Sequence, residues 1–341
     1  PAAFYTALLN NQPMGFYHPA TLVKDAQRRG VRFAPIDVQV SDWDCTVEED
    51  GAIRLGLRYV SGLRAEAGKA MARREPATDT VVRLACPKCG CDDRSMIEEG
   101  VPDALQCFCN VCSHEWTMAP ARMRFRSIDD LVRMAGLRRD EVTALAEIGA
   151  LNSLGMDRRS ALWQAERAAR PSGELFEASE SAGLDADAST PHPALGGPLP
   201  PMTPTERLVA DYAGTGLTLG PHPMSFRRHE LSMRGVLRAI DLPRARAGRR
   251  VRTAGMVITR QRPGTAKGFV FLTLEDETGI SNVIIRPDLY AATRLAVVES
   301  PFLLVDGVLQ NQDGVTAIRA ERLQRLDGLS DEASVESHDF R

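Results

Sequence analysis

The stretch KGFVFLTL (residues 267–274) runs into the turn EDETG (275–279) and returns as ISNVII (280–285). Aromatic and β-branched residues are concentrated on both sides of a turn that ends in Gly279, which is the pattern of a β-hairpin. We therefore predict two antiparallel strands here, and the neighbouring sequence decides what kind of sheet they join.

The flanking sequence supplies a full set of barrel elements. Residues 250–262 form a strand-like run that stops at a Pro-Gly pair, and Pro287 opens a short helical stretch. Two more β-rich runs follow, over residues 302–309 and 315–323. Three strands, a helix and two strands is the order of an oligonucleotide-binding (OB) barrel, so residues 249–326 are predicted to form an all-β OB-fold.

The barrel segment also carries the residue types that hold single-stranded nucleic acid. Phe269 and Phe271 alternate onto one face of a strand, where their rings could stack on bases. Basic side chains that could attract phosphates stand at the strand ends: Arg260, Arg262, Lys267 and Arg286. The alternative is that both rings fill the barrel core.

The length, charge and apolar content of the chain restrict the partners that it can bind and the compartment in which we expect it. The chain has 341 residues, enough for two or three domains with separate cores, and a formal net charge of −3. Because this net charge is close to zero, affinity for nucleic acid must come from local basic patches. No apolar run approaches the ~20 residues that cross a bilayer and no signal peptide is visible, so we expect a soluble cytoplasmic protein without a membrane partner.

Six of the seven cysteines lie between Cys86 and Cys112. This clustering predicts a metal site in a reducing compartment rather than a disulfide framework. Two C-x-x-C pairs are spaced to hold one structural Zn²⁺ tetrahedrally. The predicted ligands are Cys86, Cys89, Cys109 and Cys112. Alternative ligands are Cys91, Cys107 and His114.

Helical periodicity dominates on both sides of the cysteine cluster. Ser127 is predicted to cap a helix that Gly136 ends. A further helix over residues 139–147 runs into a short turn at Gly149, whose backbone could contact a phosphate of DNA as in a helix-hairpin-helix motif. Residues 60–63 could form the partner hairpin, and an ordinary helical bundle explains the same pattern.

Two groups of motifs resemble one family. NNQPMGFY (10–17), SDWDC (41–45) and LGLRYV (55–60) are similar to the fingers region of bacterial C-family replicative DNA polymerases, specifically their error-prone branch. Four further motifs resemble the carboxyl-terminal barrel and tail of the same branch. They are ADY (210–212), QRPG (261–264), FLTLEDETG (271–279) and SHDFR (337–341). The match spans nearly the whole chain in the right order.

With this resemblance, the fold class expected is a multi-domain α+β protein with a helical fingers and helix-hairpin-helix region, an inserted zinc ribbon and an OB barrel. The ribbon is a departure from the family. The expected units are a fingers-like region (1–80), the zinc ribbon (81–118), a helix-hairpin-helix region (119–170), a disordered linker (171–205), a connecting helical segment (206–248), the OB-fold (249–326) and a tail (327–341).

The resemblance implies the carboxyl-terminal portion, from the fingers onward, of an error-prone DNA polymerase. This enzyme would be a nucleotidyltransferase of DNA replication and repair that performs damage-induced translesion synthesis on primer-template DNA. The family's palm, whose carboxylates hold two Mg²⁺ ions, lies outside the matching region. We therefore expect no catalytic residues and no Mg²⁺ site in this chain, and no nucleotide incorporation by it alone. The acidic residues 275–277 lie at a turn, where solvated or capping roles are expected.

The resemblance also implies partners beyond primer-template and single-stranded DNA, namely mutagenic accessory proteins and the sliding clamp. Two alternatives stay open. One is a non-catalytic DNA-binding adaptor made of ribbon, hairpins and barrel, and the other is a decayed remnant of a polymerase.

Overall fold

The computed structural model describes residues 1–14, 17–73, 96–99, 106–117, 124–168, 200–312, 314–326 and 338–340. These residues form a helical part, a small antiparallel sheet and a β-barrel. None of the helices that the structure describes is both long and apolar enough to cross a membrane.

The amino-terminal block combines helices with a minimal sheet. Its helices are α1 (Ala2–Asn10), α2 (Pro19–Arg28) and α3 (Ala65–Arg73). Its strands are β1 (Phe33–Ala34), β2 (Thr46–Val47) and β3 (Ile53–Arg54). Strand β3 is central, parallel to β1 and antiparallel to β2.

A three-stranded antiparallel sheet lies within the predicted ribbon. Its strands are β4 (Ile97–Glu99), β5 (Gln106–Cys109) and β6 (His114–Thr117), with β5 in the centre. The sheet is compatible with a ribbon, but Cys86 and Cys89 lie outside the described residues. The zinc ribbon therefore stays a prediction.

The second helical block contains α4 (Ile128–Ala135), α5 (Arg139–Glu147) and α6 (Arg158–Ala168). The predicted ends of α4 are confirmed. The Ser127 hydroxyl accepts a hydrogen bond from the Asp130 amide at 3.1 Å, and Gly136 ends the helix with a left-handed φ of 59°.

Two more helices lead to the barrel, α7 (Pro204–Thr215) and α8 (Arg228–Met233). Helix α7 begins inside the span predicted as linker, because Thr203 and Glu206 form a capping box and Pro204 occupies the first turn. Most of the remaining predicted linker lies outside the described residues.

The barrel has the element order that the sequence predicts. Its elements are β7 (Arg250–Gln261), β8 (Val270–Asp276), β9 (Gly279–Ile285), α9 (Pro287–Glu299), β10 (Phe302–Gln312) and β11 (Val315–Arg325). Strand β11 pairs with β9 in parallel, and β10 pairs with β7, so the sheet closes. A short strand, β12 (His338–Phe340), adds to the end of β7 in parallel.

The helical part covers one side of the barrel. Residues on the outer faces of β7 and β10, including Met256 and Phe302, belong to the same apolar core as Leu217 and Leu231 of the helical part. A second core fills the barrel interior. Because one outer face is buried in this way, a binding surface must use the strands that the helices leave uncovered.

Candidate nucleic-acid interface

Phe271 lies on the outer surface of the barrel. In β8 the side chains of Val270, Leu272 and Leu274 are at most 3 % exposed, so the alternation of a strand sends Phe271 outward, where 36 % of it is exposed. Phe271 therefore does not fill the core, and its ring is accessible for stacking.

Strand register places a continuous row of side chains around Phe271. Gln261 of β7 and Ile284 of β9 are its direct neighbours across the sheet, and Arg319 of β11 is the neighbour of Ile284. We call this set the Phe271 row. It combines a ring and an aliphatic side chain with an amide and an exposed guanidinium, the chemistry that holds a base and its phosphate. Ile284 and Arg319 were missed from the sequence because their position depends on the register between strands that are distant along the chain.

Phe269 and Lys267 lie in the loop before β8 rather than in the strand. The Phe269 amide donates to the Ala266 carbonyl at 3.0 Å, and its side chain is half-buried. Lys267 is exposed and adopts a left-handed φ of 49°. The structure thus brings both residues near the end of the Phe271 row, while only Phe271 belongs to it.

The position of Arg260 does not support the sequence-based choice of this residue as a phosphate contact. Arg260 is in register with Leu272, which is buried in the barrel. Its guanidinium donates to the carbonyls of Val297 and Ser300, at 2.6 and 2.9 Å. A cation at the carboxyl end of a helix satisfies carbonyls that lack helical partners. Arg260 therefore stabilises the end of α9.

The other predicted arginines remain at the surface. The Arg262 guanidinium lies 5.0 Å from the centroid of the Tyr290 ring, in cation–π contact. Both residues line a cavity of about 540 Å³ between the end of β7 and α9, together with Arg294. Arg286 is exposed and pairs with Asp288 at 3.0 Å. These positions are accessible to a phosphate.

The turn at Gly149 connects α5 to the segment before α6. Gly149 has a φ of 81°, and its amide donates to the Ala146 carbonyl at 3.1 Å. A Cβ at this position would lie 2.8 Å from Nε of Arg158, whose guanidinium pairs with Asp211 of α7. The Gly149 amide is thus used within the turn, and a contact of this residue with DNA stays a prediction.

A buried ion pair joins the two predicted hairpins. Nε and Nη2 of Arg64, which precedes α3, donate to the two carboxylate oxygens of Glu141 in α5, each at 2.8 Å. The Glu141 side chain is only 1 % exposed, and the Arg64 and Arg138 amides also donate to it. These donors lower the pKa of Glu141 to about 2. The hairpins are therefore held together although the ribbon segment separates them in the chain.

A second polar cluster lies where the helical part meets the barrel. Glu275 of β8 is fully buried and pairs with Arg28 of α2 at 2.8 Å. Lys24 and His222 are buried beside it, and Nε2 of His222 lies 3.9 Å from the Glu275 carboxylate. Burial raises the pKa of Glu275 to about 7 and lowers the pKa of His222 to about 3. The expected solvated role of Glu275 is therefore wrong, because the packed helices exclude water from this end of the hairpin.

The described half of the predicted zinc site lies on a tight turn between two strands. Cys109 and Cys112 flank the tight connection between β5 and β6, where the Ser113 amide donates to the Cys109 carbonyl at 2.8 Å. Cys109 is buried. A thiolate pair on such a turn fits one half of a tetrahedral zinc site. Within the described ranges, no three His, Cys, Asp or Glu side chains converge as a metal site.

Two family models match the chain. Residues 30–82 match a helix-hairpin-helix motif, and residues 251–326 match an OB-fold nucleic acid binding domain. The first match contains the predicted hairpin at residues 60–63 and ends before Gly149. The two matches define the architecture: a helix-hairpin-helix motif in the amino-terminal part and an OB-fold at residues 251–326.

The whole chain is also similar to error-prone DNA polymerases, which confirms the resemblance found in the sequence. It is 38 % identical to the error-prone DNA polymerase of Alkalilimnicola ehrlichii and 37 % identical to that of Dechloromonas aromatica, each over 100 % of this chain and 28 % of the relative. The error-prone DNA polymerase of Burkholderia pseudomallei is 39 % identical over 100 % of this chain and 27 % of its own length. The chain thus spans little more than a quarter of these relatives.

The likeness to one solved structure is local. An asparaginyl-tRNA synthetase from Pyrococcus horikoshii matches 27 % of this chain and 21 % of its own, with 22 % identity and a TM-score of 0.22. At this level of similarity the match supports no conclusion about function.

Proposed function

We propose that this chain is the DNA-holding portion of an error-prone DNA polymerase that acts in DNA repair and translesion synthesis. Its helical hairpins would grip the backbone of the primer-template duplex, and its barrel would hold the single-stranded template. The similarity to error-prone polymerases over the whole chain is the observation that carries this proposal. Contacts directed at the backbone suit a polymerase, because it must move along any sequence.

Polymerisation itself is assigned to sequence outside this chain. The acidic turn of residues 275–277 cannot hold two Mg²⁺ ions, because each carboxylate already has a structural partner. Glu275 pairs with Arg28, Asp276 accepts the Ala239 amide at 2.8 Å, and Glu277 pairs with Arg228 at 2.9 Å.

A free-standing DNA-binding adaptor is less well supported, since the relatives that match over the whole chain are polymerases. Accessory proteins and the sliding clamp remain proposed partners of the complete enzyme.

The ribbon segment is proposed to bind one structural Zn²⁺ through Cys86, Cys89, Cys109 and Cys112. The tight turn that carries Cys109 and Cys112 supports this proposal. A bound zinc would hold the two ends of the ribbon together, and a closed thiolate shell leaves no position for a reactive water.

The Phe271 row gives a direct test of DNA binding. Phe271→Ala removes the exposed ring while leaving the barrel core intact, and stacking of one base on an aromatic ring contributes about 1–3 kcal/mol. We expect affinity for a labelled oligodeoxythymidine of about 12 nucleotides, measured by fluorescence anisotropy, to fall about tenfold.

Val315→Ala is the matched control, because Val315 is an exposed apolar residue of the barrel outside the Phe271 row, 60 % exposed. It should bind like the parent chain. Equal affinity of the Phe271→Ala chain and the parent would exclude this row as the stacking site, and failure of the parent chain to bind single-stranded or primed DNA would refute the proposed function.

A further inference from the structure

The segment that leads into the barrel is the most basic part of the chain. Residues 234–252 contain seven arginines and a single acidic residue, Asp241, whereas the whole chain has a net charge of −3. The arginines are Arg234, Arg238, Arg244, Arg246, Arg249, Arg250 and Arg252. Such a local excess of positive charge attracts a polyanion even when the net charge of the protein is negative.

The fold gathers part of this segment into a groove on the barrel. A cavity of about 520 Å³ is open to solvent between the start of β7, the turn after α8 and strands β10 and β11. Five arginines line it, and we call this site the arginine groove: Arg234, Arg249, Arg250, Arg252 and Arg322. Arg322 comes from the far end of the barrel sequence, so the groove is a product of the fold.

The positive charge of the groove is only partly compensated. Arg252 pairs with Asp306 at 2.6 Å, Arg250 with Glu321 at 3.2 Å and Arg234 with Glu230 at 3.2 Å. Arg249 and Arg322 are exposed, and neither has a carboxylate partner among the residues that the structure describes. Two guanidinium groups thus face solvent, each able to donate to a phosphate.

The groove adjoins the Phe271 row through β11. Arg319 belongs to the row, and Arg322 lines the groove three residues further along the same strand. At the usual rise of a strand, three residues span about 10 Å. A strand of nucleic acid that stacks on Phe271 therefore passes within reach of the groove when it crosses β11.

We propose that the arginine groove is a second nucleic-acid site, which binds the phosphodiester backbone of the strand that passes the Phe271 row. This inference rests on the proposed DNA-binding function and extends its surface around the barrel. A phosphodiester backbone suits the groove better than an acidic peptide does, because peptide sites depend on accessible apolar anchors. The apolar residues of the groove are Leu237, which is half-buried, and Val251, which is buried.

The test uses the full chain with both uncompensated arginines replaced, Arg249→Gln with Arg322→Gln. We expect affinity for a labelled oligodeoxythymidine of about 20 nucleotides to fall about tenfold. The slope of log affinity against log salt should decrease in magnitude by about 1.4, since each phosphate contact on a single strand contributes about 0.7. Arg29→Gln with Arg207→Gln is the charge-matched control, because both side chains are exposed on the helical part and lie outside the groove and outside the matched helix-hairpin-helix and OB-fold segments. It should leave both quantities unchanged.

The outcomes separate this inference from the proposed function. Unchanged affinity and salt slope in the Arg249/Arg322 variant, together with weakened binding of Phe271→Ala, would refute the arginine groove as a nucleic-acid site. The proposed DNA-binding function would still be supported. Loss of binding to a polyglutamate peptide without any loss of DNA binding would make the groove a protein-docking site and also overturn the proposal. If the parent chain binds no DNA, both the proposed function and the arginine groove are refuted.

Discussion

Two buried glutamates show how position decides the chemistry of one residue type. Glu141 has four donors around its carboxylate and a lowered pKa, whereas the pKa of Glu275 is raised although Arg28 contacts it. The difference arises because one Glu275 oxygen has no hydrogen-bond partner within the described part of the chain, so desolvation outweighs the ion pair. Neither environment is visible in the sequence, since the charged partners, Arg64 for Glu141 and Arg28 for Glu275, are distant along the chain.

The raised pKa of Glu275 predicts how the free energy of unfolding depends on pH. Its folded pKa of about 7 exceeds the ordinary value of 4.5, so the contribution of this group to stability is present below about pH 4.5 and is lost as the pH rises through 7. Glu275→Gln removes this dependence. Between pH 4.5 and 8 the free energy of unfolding of the parent chain should fall relative to the variant by about 3 kcal/mol, as measured by urea denaturation.

His222 works in the opposite direction, because its lowered pKa costs stability as the pH falls below 6.5. It is present in both proteins and cancels in the comparison. Glu299→Gln, at the exposed end of α9, serves as the control for removal of one charge. A difference between parent and Glu275→Gln that stays constant with pH would show that Glu275 has an ordinary pKa.

Local signals account for most of the elements predicted correctly. The ends of α4 follow from Ser127 and Gly136, and the β8–β9 hairpin follows from its turn, where Asp276 accepts the amides of Thr278 and Gly279 at 2.7 and 3.1 Å. The role of Arg260 could not be predicted from local sequence. A basic residue at a strand end is equally suited to a phosphate or to the carbonyls of a helix end, and only the packing of α9 decides between them.

The β5–β6 connection leads to a prediction about the metal content of the chain. If its two cysteines form half of a zinc site, the purified chain should contain about one Zn²⁺ by elemental mass spectrometry, and Cys109→Ser should release most of it. Cys45→Ser is the control, because Cys45 is a buried core residue of the amino-terminal block. Equal zinc content in the Cys109→Ser chain and the parent would remove Cys109 from the shell.

The packing of helices on the barrel divides the barrel surface into a covered face and an exposed face. The faces of β7 and β10 that carry Met256 and Phe302 are closed by the helical part, and the Glu275–Arg28 ion pair fixes the two parts together. The Phe271 row and the arginine groove lie on the surface that remains. The sequence predicts the barrel but not this division, because the apolar residues of β7 face both the interior and the helices.

This arrangement predicts DNA binding without DNA synthesis. The acidic turn is engaged in packing, and phosphoryl transfer needs carboxylates free to hold two metal ions. With primed template, deoxynucleotides and Mg²⁺, the purified chain should extend no primer on a denaturing gel, while the same preparation binds the primed template by anisotropy. A known DNA polymerase added to the same mixture controls for the quality of the substrate. Primer extension that co-purifies with the chain would place an active site within these residues. It would refute the proposal that polymerisation depends on sequence outside this chain.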